Sequence, residues 1–389
     1  MDKTVMGQAI DTLQTPFYVF DTDEAAAQVT ALRAAFGPEI GLCYAMKANA
    51  FIVGDLVPWV DYLEVCSPGE FRICQRAGIP PEKIVLSGVY KKPAELDEVM
   101  ETYGSAITYT AESLAQWQQL SAYATAHQCP LRVLLRLTAG NQFGMEQEVL
   151  QEIVAHRDDS FAHIEGIQYF SGTQKKNPAR WAEELEKLDA LLQTLFSRYG
   201  FTAEKLEYGT GLPVTYFDGE KDNEQALAQE LAALLHGMRF KGKIVLETGR
   251  RVAASCGTYF TRVADVKQNH GSRYCIVDGG IHHLNYFGQM MAMKKPPLLQ
   301  WNAPQGESEP WTVCGSLCTS NDVLLKSCSF TELRVGDVLV FGKAGAYSPT
   351  ESMGLFLSRD LPQVALFSRE KGLRLVREAL PTDRLNSSL

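Results

Sequence analysis

One pattern constrains the fold of this chain more than any other. Eight short β-rich runs recur between residues 40 and 247, at intervals long enough to hold a helix. They fall at 40–46 (IGLCYAM), 62–66 (YLEVC), 83–87 (KIVLS) and 106–110 (AITYT), then at 131–138 (LRVLLRLT), 164–170 (IEGIQYF), 205–208 (KLEY) and 243–247 (KIVLE). Segments 24–36, 69–77, 93–101, 111–127, 181–199 and 223–238 space apolar residues three and four apart. That is the period of a helix with one buried face. Repeated strand–helix units imply a parallel sheet, and eight of them predict a closed (β/α)8 TIM-type barrel rather than an open doubly wound sheet. The α/β barrel is expected over residues 26–251.

After residue 252 the texture changes. TYFTRVADV, YCIVDGG, WTVCGSLC, DVLLKSCSF, GDVLVFG and QVALFS are strand-like and closely spaced. They predict a β-rich C-terminal domain, a sandwich or a partly closed barrel. An early run, Phe17-Tyr18-Val19-Phe20, precedes the barrel pattern and is expected to join that domain. Residues 1–25 and 252–389 therefore form the second unit. Two domains suit 389 residues, since single cores stop growing near roughly 250–300.

Composition narrows the function classes. There are 37 Lys+Arg against 46 Asp+Glu, a net charge of -9. That balance argues against nonspecific binding to nucleic acid or anionic membrane. No apolar run reaches the ~18 residues of a membrane span, and no basic segment leads into an apolar core at the N-terminus. The nine cysteines form no Cys-x-x-Cys pair. They read as free thiols in a reducing cytoplasm. His282-His283 have no third ligand at a convincing spacing, so no metal is expected.

Function in such a barrel collects just after the strand ends. Lys47 follows the first run and is the only charge in Cys43–Asn49. Held in a low-dielectric site, it would have a lowered pKa and become an amine nucleophile. A lysine whose stem merely lies along apolar surface would look the same. Glu64 closes the second run, Arg136 the fifth, and Ser171-Gly172-Thr173-Gln174 follows the sixth. Gly209-Thr210-Gly211 follows the seventh and leaves backbone N–H groups open to an anion. Glu247-Thr248-Gly249-Arg250 follows the eighth. The carboxylate could keep a pyridine nitrogen protonated and the arginine could clamp a phosphate; each could equally be a structural ion pair. Cys318 could be a plain buried thiol.

In this order, Tyr44–Asn49, Ser67-Pro68-Gly69-Glu70, Glu247–Arg250, Gly315–Asp322 and Gly345-Ala346-Tyr347 resemble the fold-type III pyridoxal-phosphate decarboxylases. That family includes the diaminopimelate and ornithine decarboxylases. The resemblance implies an amino-acid carboxy-lyase that uses pyridoxal 5′-phosphate through a substrate–cofactor aldimine and a quinonoid. It implies Lys47 as the Schiff-base lysine, Glu247 at the pyridine nitrogen, and Glu64 near the lysine. Arg136 would lie near the ring hydroxyl. Thr173, Gly209, Thr210, Gly211, Gly249, Arg250 and Tyr347 would surround the phosphate. It further implies a homodimer in which Cys318 of the partner subunit reprotonates the product.

Departures from the family bear on the cofactor and on the substrate. The family's stacking histidine is here Phe170, which can still stack but donates no hydrogen bond. The acidic residue after the active-site cysteine is here Thr319, facing the substrate without a carboxylate. The blocks look closer to a biosynthetic subgroup, including the butirosin-pathway decarboxylase of carrier-bound glutamate and a siderophore-pathway decarboxylase. The expected substrate is a modified amino acid, acylated or held on an acyl carrier protein. Loops 174–180 and 281–293 are expected at its distal end. A diaminopimelate- or ornithine-type decarboxylase, an amino-acid racemase and an inactive regulatory homologue are the alternatives.

Overall fold

A computed structural model describes residues 1–289 and 292–388. The chain divides into two compact units: Gln28–Val214 with Asn223–Arg251, and Met1–Ala27 with Thr215–Asp222 and Val252–Leu389. Among the described residues, no helix is long and apolar enough to cross a membrane.

The first unit is the eight-stranded closed parallel barrel. Its strands are β1 (Gly41–Ala45), β2 (Tyr62–Val65), β3 (Ile84–Leu86), β4 (Thr108–Ala111), β5 (Arg132–Leu137), β6 (His163–Phe170), β7 (Lys205–Gly209) and β8 (Lys243–Thr248). β1 closes the ring against β8, with Cys43 opposite Glu247. The strands match the eight expected runs to within a few residues. The first run overshoots at Met46, which opens a 3-10 turn over Met46–Ala48; Lys47 stands beyond the strand, as expected.

Local chemistry sets where the helices begin. Ser67 and Ser113 accept hydrogen bonds from Glu70 N and Gln116 N at 3.2 Å each. Asn177 accepts from Ala179 N at 3.1 Å. Pro68 and Pro178 occupy first-turn positions, where a missing N–H costs nothing. Helix Pro178–Tyr199 buries Trp181, Leu185, Leu188, Leu191, Leu192 and Leu195. Each burial is worth about 1.5–3 kcal/mol over exposure. Trp181 also donates to Thr210 O at 2.8 Å, which ties this helix to the loop after β7. Helices Gln147–Ala155 and Lys3–Thr12 were not among the expected segments.

The second unit holds a nine-stranded mixed sheet. Phe17–Asp21 lies inside it, antiparallel to Gly257–Asn269 and parallel to Gln363–Ser368. The Phe17 and Phe260 rings stack with centroids 4.5 Å apart. The early run therefore does join the C-terminal strands. Thr215–Asp222 also groups with this unit, inside the range expected for the barrel. Asp218 N donates to Lys295 O at 2.9 Å, and the Tyr216 and Tyr286 rings lie 5.9 Å apart.

Candidate functional site

Lys47 projects from a turn whose flanking residues, Met46 and Ala48, are buried, while its own side chain is 43% exposed. Its Nζ lies 2.7 Å from Glu64 Oε2 and 3.4 Å from Cys66 Sγ. Glu64 and Cys66 are two residues apart along an extended segment, so both face the amine. The expected lowered pKa is not found. Burial alone would lower it, but Glu64, Cys66 and Glu247 together push Lys47 well above the ordinary lysine value. Burial would raise Glu64, yet Lys47 outweighs it and holds the carboxyl below its usual range. In the protein alone this pair is an ammonium–carboxylate.

A layer of carboxylates crosses the barrel beside that pair. Gln168 on β6 donates from Nε2 to Glu247 Oε1 at 2.6 Å and to Glu207 Oε1 at 3.0 Å. The same nitrogen lies 3.1 Å from Ser87 Oγ. Burial, then the charges of Glu64 and Glu207, push Glu247 well above the ordinary carboxylate range. Glu207 is raised as well, chiefly by burial.

The loops after β6 and β7 form a backbone cradle. Gly211 has φ +61°, and a Cβ there would lie 2.3 Å from Gly172 O. Only glycine fits that approach. A Cβ on Gly209 would lie 2.3 Å from Phe170 Cδ2, so the Phe170 ring covers that glycine. Thr210 Oγ1 donates to Glu247 O at 3.3 Å, and Lys175 N donates to Gly211 O at 2.9 Å. Arg250 Nε reaches Thr173 Oγ1 at 3.3 Å, joining the strand ends of β8 and β6. A Cβ on Gly249 would meet Ala48 Cβ at 3.1 Å, so this glycine keeps the β8 end close to the lysine turn. Behind the cradle, Glu184 takes hydrogen bonds from Lys175 at 2.6 Å and Tyr208 at 2.5 Å.

Arg136 pairs with Glu112, Nη1 to Oε1 at 2.9 Å, and its guanidinium lies 4.8 Å from the Phe143 ring centroid. Both members of the pair are buried.

Cys318, Thr319 and Tyr347 belong to the β-rich unit. Cys318 is exposed on a turn pinned by Asp322. That carboxylate accepts from Leu317 N at 2.7 Å and Ile281 N at 2.9 Å. Thr319 Oγ1 accepts from Asn321 N at 3.4 Å. Tyr347 has φ +66°, and its carbonyl accepts from Thr350 N and Glu351 N at 2.9 and 2.8 Å. His282 and His283 pack with ring centroids 3.7 Å apart. Burial pushes their pKa values down to about 4 and about 3, leaving both rings neutral. Of the expected distal loops, Gln174 bonds Val214 in both directions at 2.6 and 3.0 Å. Met290 and Met291 of loop 281–293 lie outside the described residues.

Sequence reasoning missed Gln168, Glu207 and Glu112. The available signal was period two. Gln168 and Phe170 alternate on β6, and Lys205, Glu207 and Gly209 alternate on β7, so each set shares one face.

Comparisons with known proteins agree with this geometry. A family described as pyridoxal-dependent decarboxylase, C-terminal sheet domain, matches residues 17–345. An L-glutamyl acyl-carrier-protein decarboxylase from Niallia circulans is 28% identical, over 97% of this chain and 94% of its own. A diaminopimelate decarboxylase from Helicobacter pylori is 26% identical, over 96% and 95%. A crystal structure of Helicobacter pylori diaminopimelate decarboxylase complexed with L-lysine shares the fold, with a TM-score of 0.85 at 24% identity over 98% of both chains.

The residues fit the cofactor this family uses. Gln168 Oε1 and Glu112 Oε2 are buried without a hydrogen-bond partner, the glycine cradle offers backbone to an anion, and an amine stands at the mouth. These groups suit a planar ring bearing a nitrogen, a phosphate and an aldehyde. This chain belongs to the pyridoxal-dependent decarboxylases, is an amino-acid carboxy-lyase, and takes pyridoxal 5′-phosphate as its cofactor.

Proposed function

We propose that this enzyme removes the α-carboxylate of a modified amino acid whose distal end is acylated or attached to an acyl carrier protein. The observation that carries this reading is Thr319, a neutral residue beside the exposed Cys318. A free distal ammonium would find no carboxylate there and would lose a charge-assisted contact. The relative from Niallia circulans, whose name specifies a carrier-bound glutamyl substrate, supports the same class.

Pyridoxal phosphate, when bound, supplies an aldehyde that joins to amines and a ring that accepts the electron pair freed as carbon dioxide leaves. Lys47 supplies the protein's amine, and Glu64 holds its proton nearby. Glu247 accepts a hydrogen bond from the ring nitrogen and keeps it protonated. Thr173, the Gly209–Gly211 backbone, Arg250 and Tyr347 hold the phosphate, while Gly249 keeps Arg250 close to the lysine turn. Phe170 would supply an apolar face for the ring. Arg136, fixed by Glu112, would serve the ring hydroxyl. Cys318 of the partner subunit returns a proton to the α-carbon, so the working form is a homodimer. The enzyme works in the cytoplasm.

Carbon dioxide release by the holoenzyme tests the substrate class. Acylated and carrier-bound amino acids should exceed free diaminopimelate and ornithine in kcat/KM by about tenfold or more, the value of one charge-assisted contact. Faster turnover of a free diamino acid would overturn the substrate assignment. In the same assay, Cys318→Ala should raise the share of by-products relative to amine; an unchanged product ratio would make Cys318 structural.

A further inference from the structure

We infer that Gln168 is a positioning residue for the cofactor: its side-chain amide, donating to Glu247 and Glu207 together, holds the Glu247 carboxylate in one orientation. This rests on the reading of Glu247 as the partner of the ring nitrogen.

Gln168 is 1% exposed and ties β6 to three other parts of the barrel. Its Nε2 meets Glu247 at the end of β8, Glu207 on β7 and Ser87 just past β3, at 2.6, 3.0 and 3.1 Å. An amide nitrogen carries two protons, and the two carboxylates are the closest acceptors. With both N–H bonds directed to carboxylates, the amide clamps Glu247 and Glu207, which already lie close enough to share a proton.

The strut continues toward the other end of the barrel. Lys205 Nζ lies 4.0 Å from Glu207 Oε2 and 3.6 Å from Glu165 Oε2. Arg132 Nε lies 2.6 Å from Glu165 Oε1. Charges therefore alternate from Arg132 through Glu165 and Lys205 to Glu207. Past Gln168 comes Glu247, and a protonated ring nitrogen is the next cation in that series. Remove the amide and Glu247 loses the donor that orients it and favours its charged form. Its carboxyl then holds the proton it shares with Glu207 more tightly, and it would hold a cationic ring less well.

The groups facing Glu247 are Glu64, Glu207, Lys47 and Arg136. All four are retained in Gln168→Met, which keeps side-chain length and removes the donor. Apoprotein is titrated with pyridoxal phosphate, following fluorescence for affinity and the visible band of bound cofactor across pH. Gln168→Met should weaken binding about ten- to a hundredfold, the value of a hydrogen bond to a charged group. It should also move the pH at which the band changes. Affinity and pH profile equal to wild type would overturn the inference. If Gln168→Met fails to fold by circular dichroism, Gln168→Asn serves: it keeps the amide one methylene short, and wild-type binding there is equally fatal. Glu247→Gln separates the two levels. If it too binds as wild type, the ring-nitrogen reading fails and this inference falls with it. If it weakens binding while Gln168→Met does not, only the role of Gln168 fails.

Discussion

At the scale of single residues, the proposed roles require Lys47 and Glu247 each to leave the protonation state in which the protein alone holds them. Lys47 is an ammonium beside Glu64 and must shed a proton before its amine can add to an aldehyde. Glu247 is raised by burial and by two neighbouring carboxylates. Its folded pKa lies above its unfolded one, so above the unfolded value of roughly 4.3 the folded state binds more protons. Stability then falls as pH rises through that window. Apo Glu247→Gln should therefore be more stable than apo wild type in urea at pH 8, with the gap closing toward pH 4. A wild type that is the more stable at pH 8 would contradict the raised pKa. Lys47, Glu64 and Glu247 were legible because each is a charge in an apolar run. Gln168 was not, because a neutral amide in IEGIQYF raises no flag until the barrel shows which face is interior.

At the scale of elements, the site depends on strand ends being followed by turns of the right shape. Gly211 is the sharpest case, combining φ +61° with a 2.3 Å approach of its absent Cβ to Gly172 O. Gly211→Ala should cost about 1–3 kcal/mol of stability from backbone strain, and open the cradle enough to weaken pyridoxal phosphate binding at least tenfold. Thermal melts and a cofactor titration check both, and unchanged values would mean the loop relaxes freely. The eight strands were readable because each is a short apolar run bounded by polar or turn-forming residues. Helix Gln147–Ala155 was not, because the turn-rich AGNQFG before it hides its start. Lys3–Thr12 carries a period at Val5, Met6, Ala9 and Ile10, but it precedes the strand–helix units among which helices were sought.

At the scale of the whole molecule, chain order and spatial order diverge. Phe17–Asp21 lies between strands that begin at Gly257 and Gln363. The apolar run FYVF marked it as a strand that needs partners, so its placement was anticipated. Thr215–Asp222 could not be, since nothing local distinguishes an excursion into the second unit from an ordinary loop after β7. The tyrosine and phenylalanine in it find partners only in the folded chain.

The chain also contains a rival to Lys47. Lys91 is pushed down to about 8 by burial and donates to Gly88 O at 2.8 Å, so by acidity alone it is the better nucleophile. The proposed reading places the cofactor on Lys47, for its company of Glu64, Glu247 and the glycine cradle rather than for its acidity. Borohydride reduction of the holoenzyme followed by peptide mass spectrometry decides between them. The expected result is a pyridoxyl group on the peptide containing Lys47 and nowhere else, with the visible band lost in Lys47→Ala. A pyridoxyl group on Lys91, or a Lys47→Ala variant that keeps the band, would contradict it.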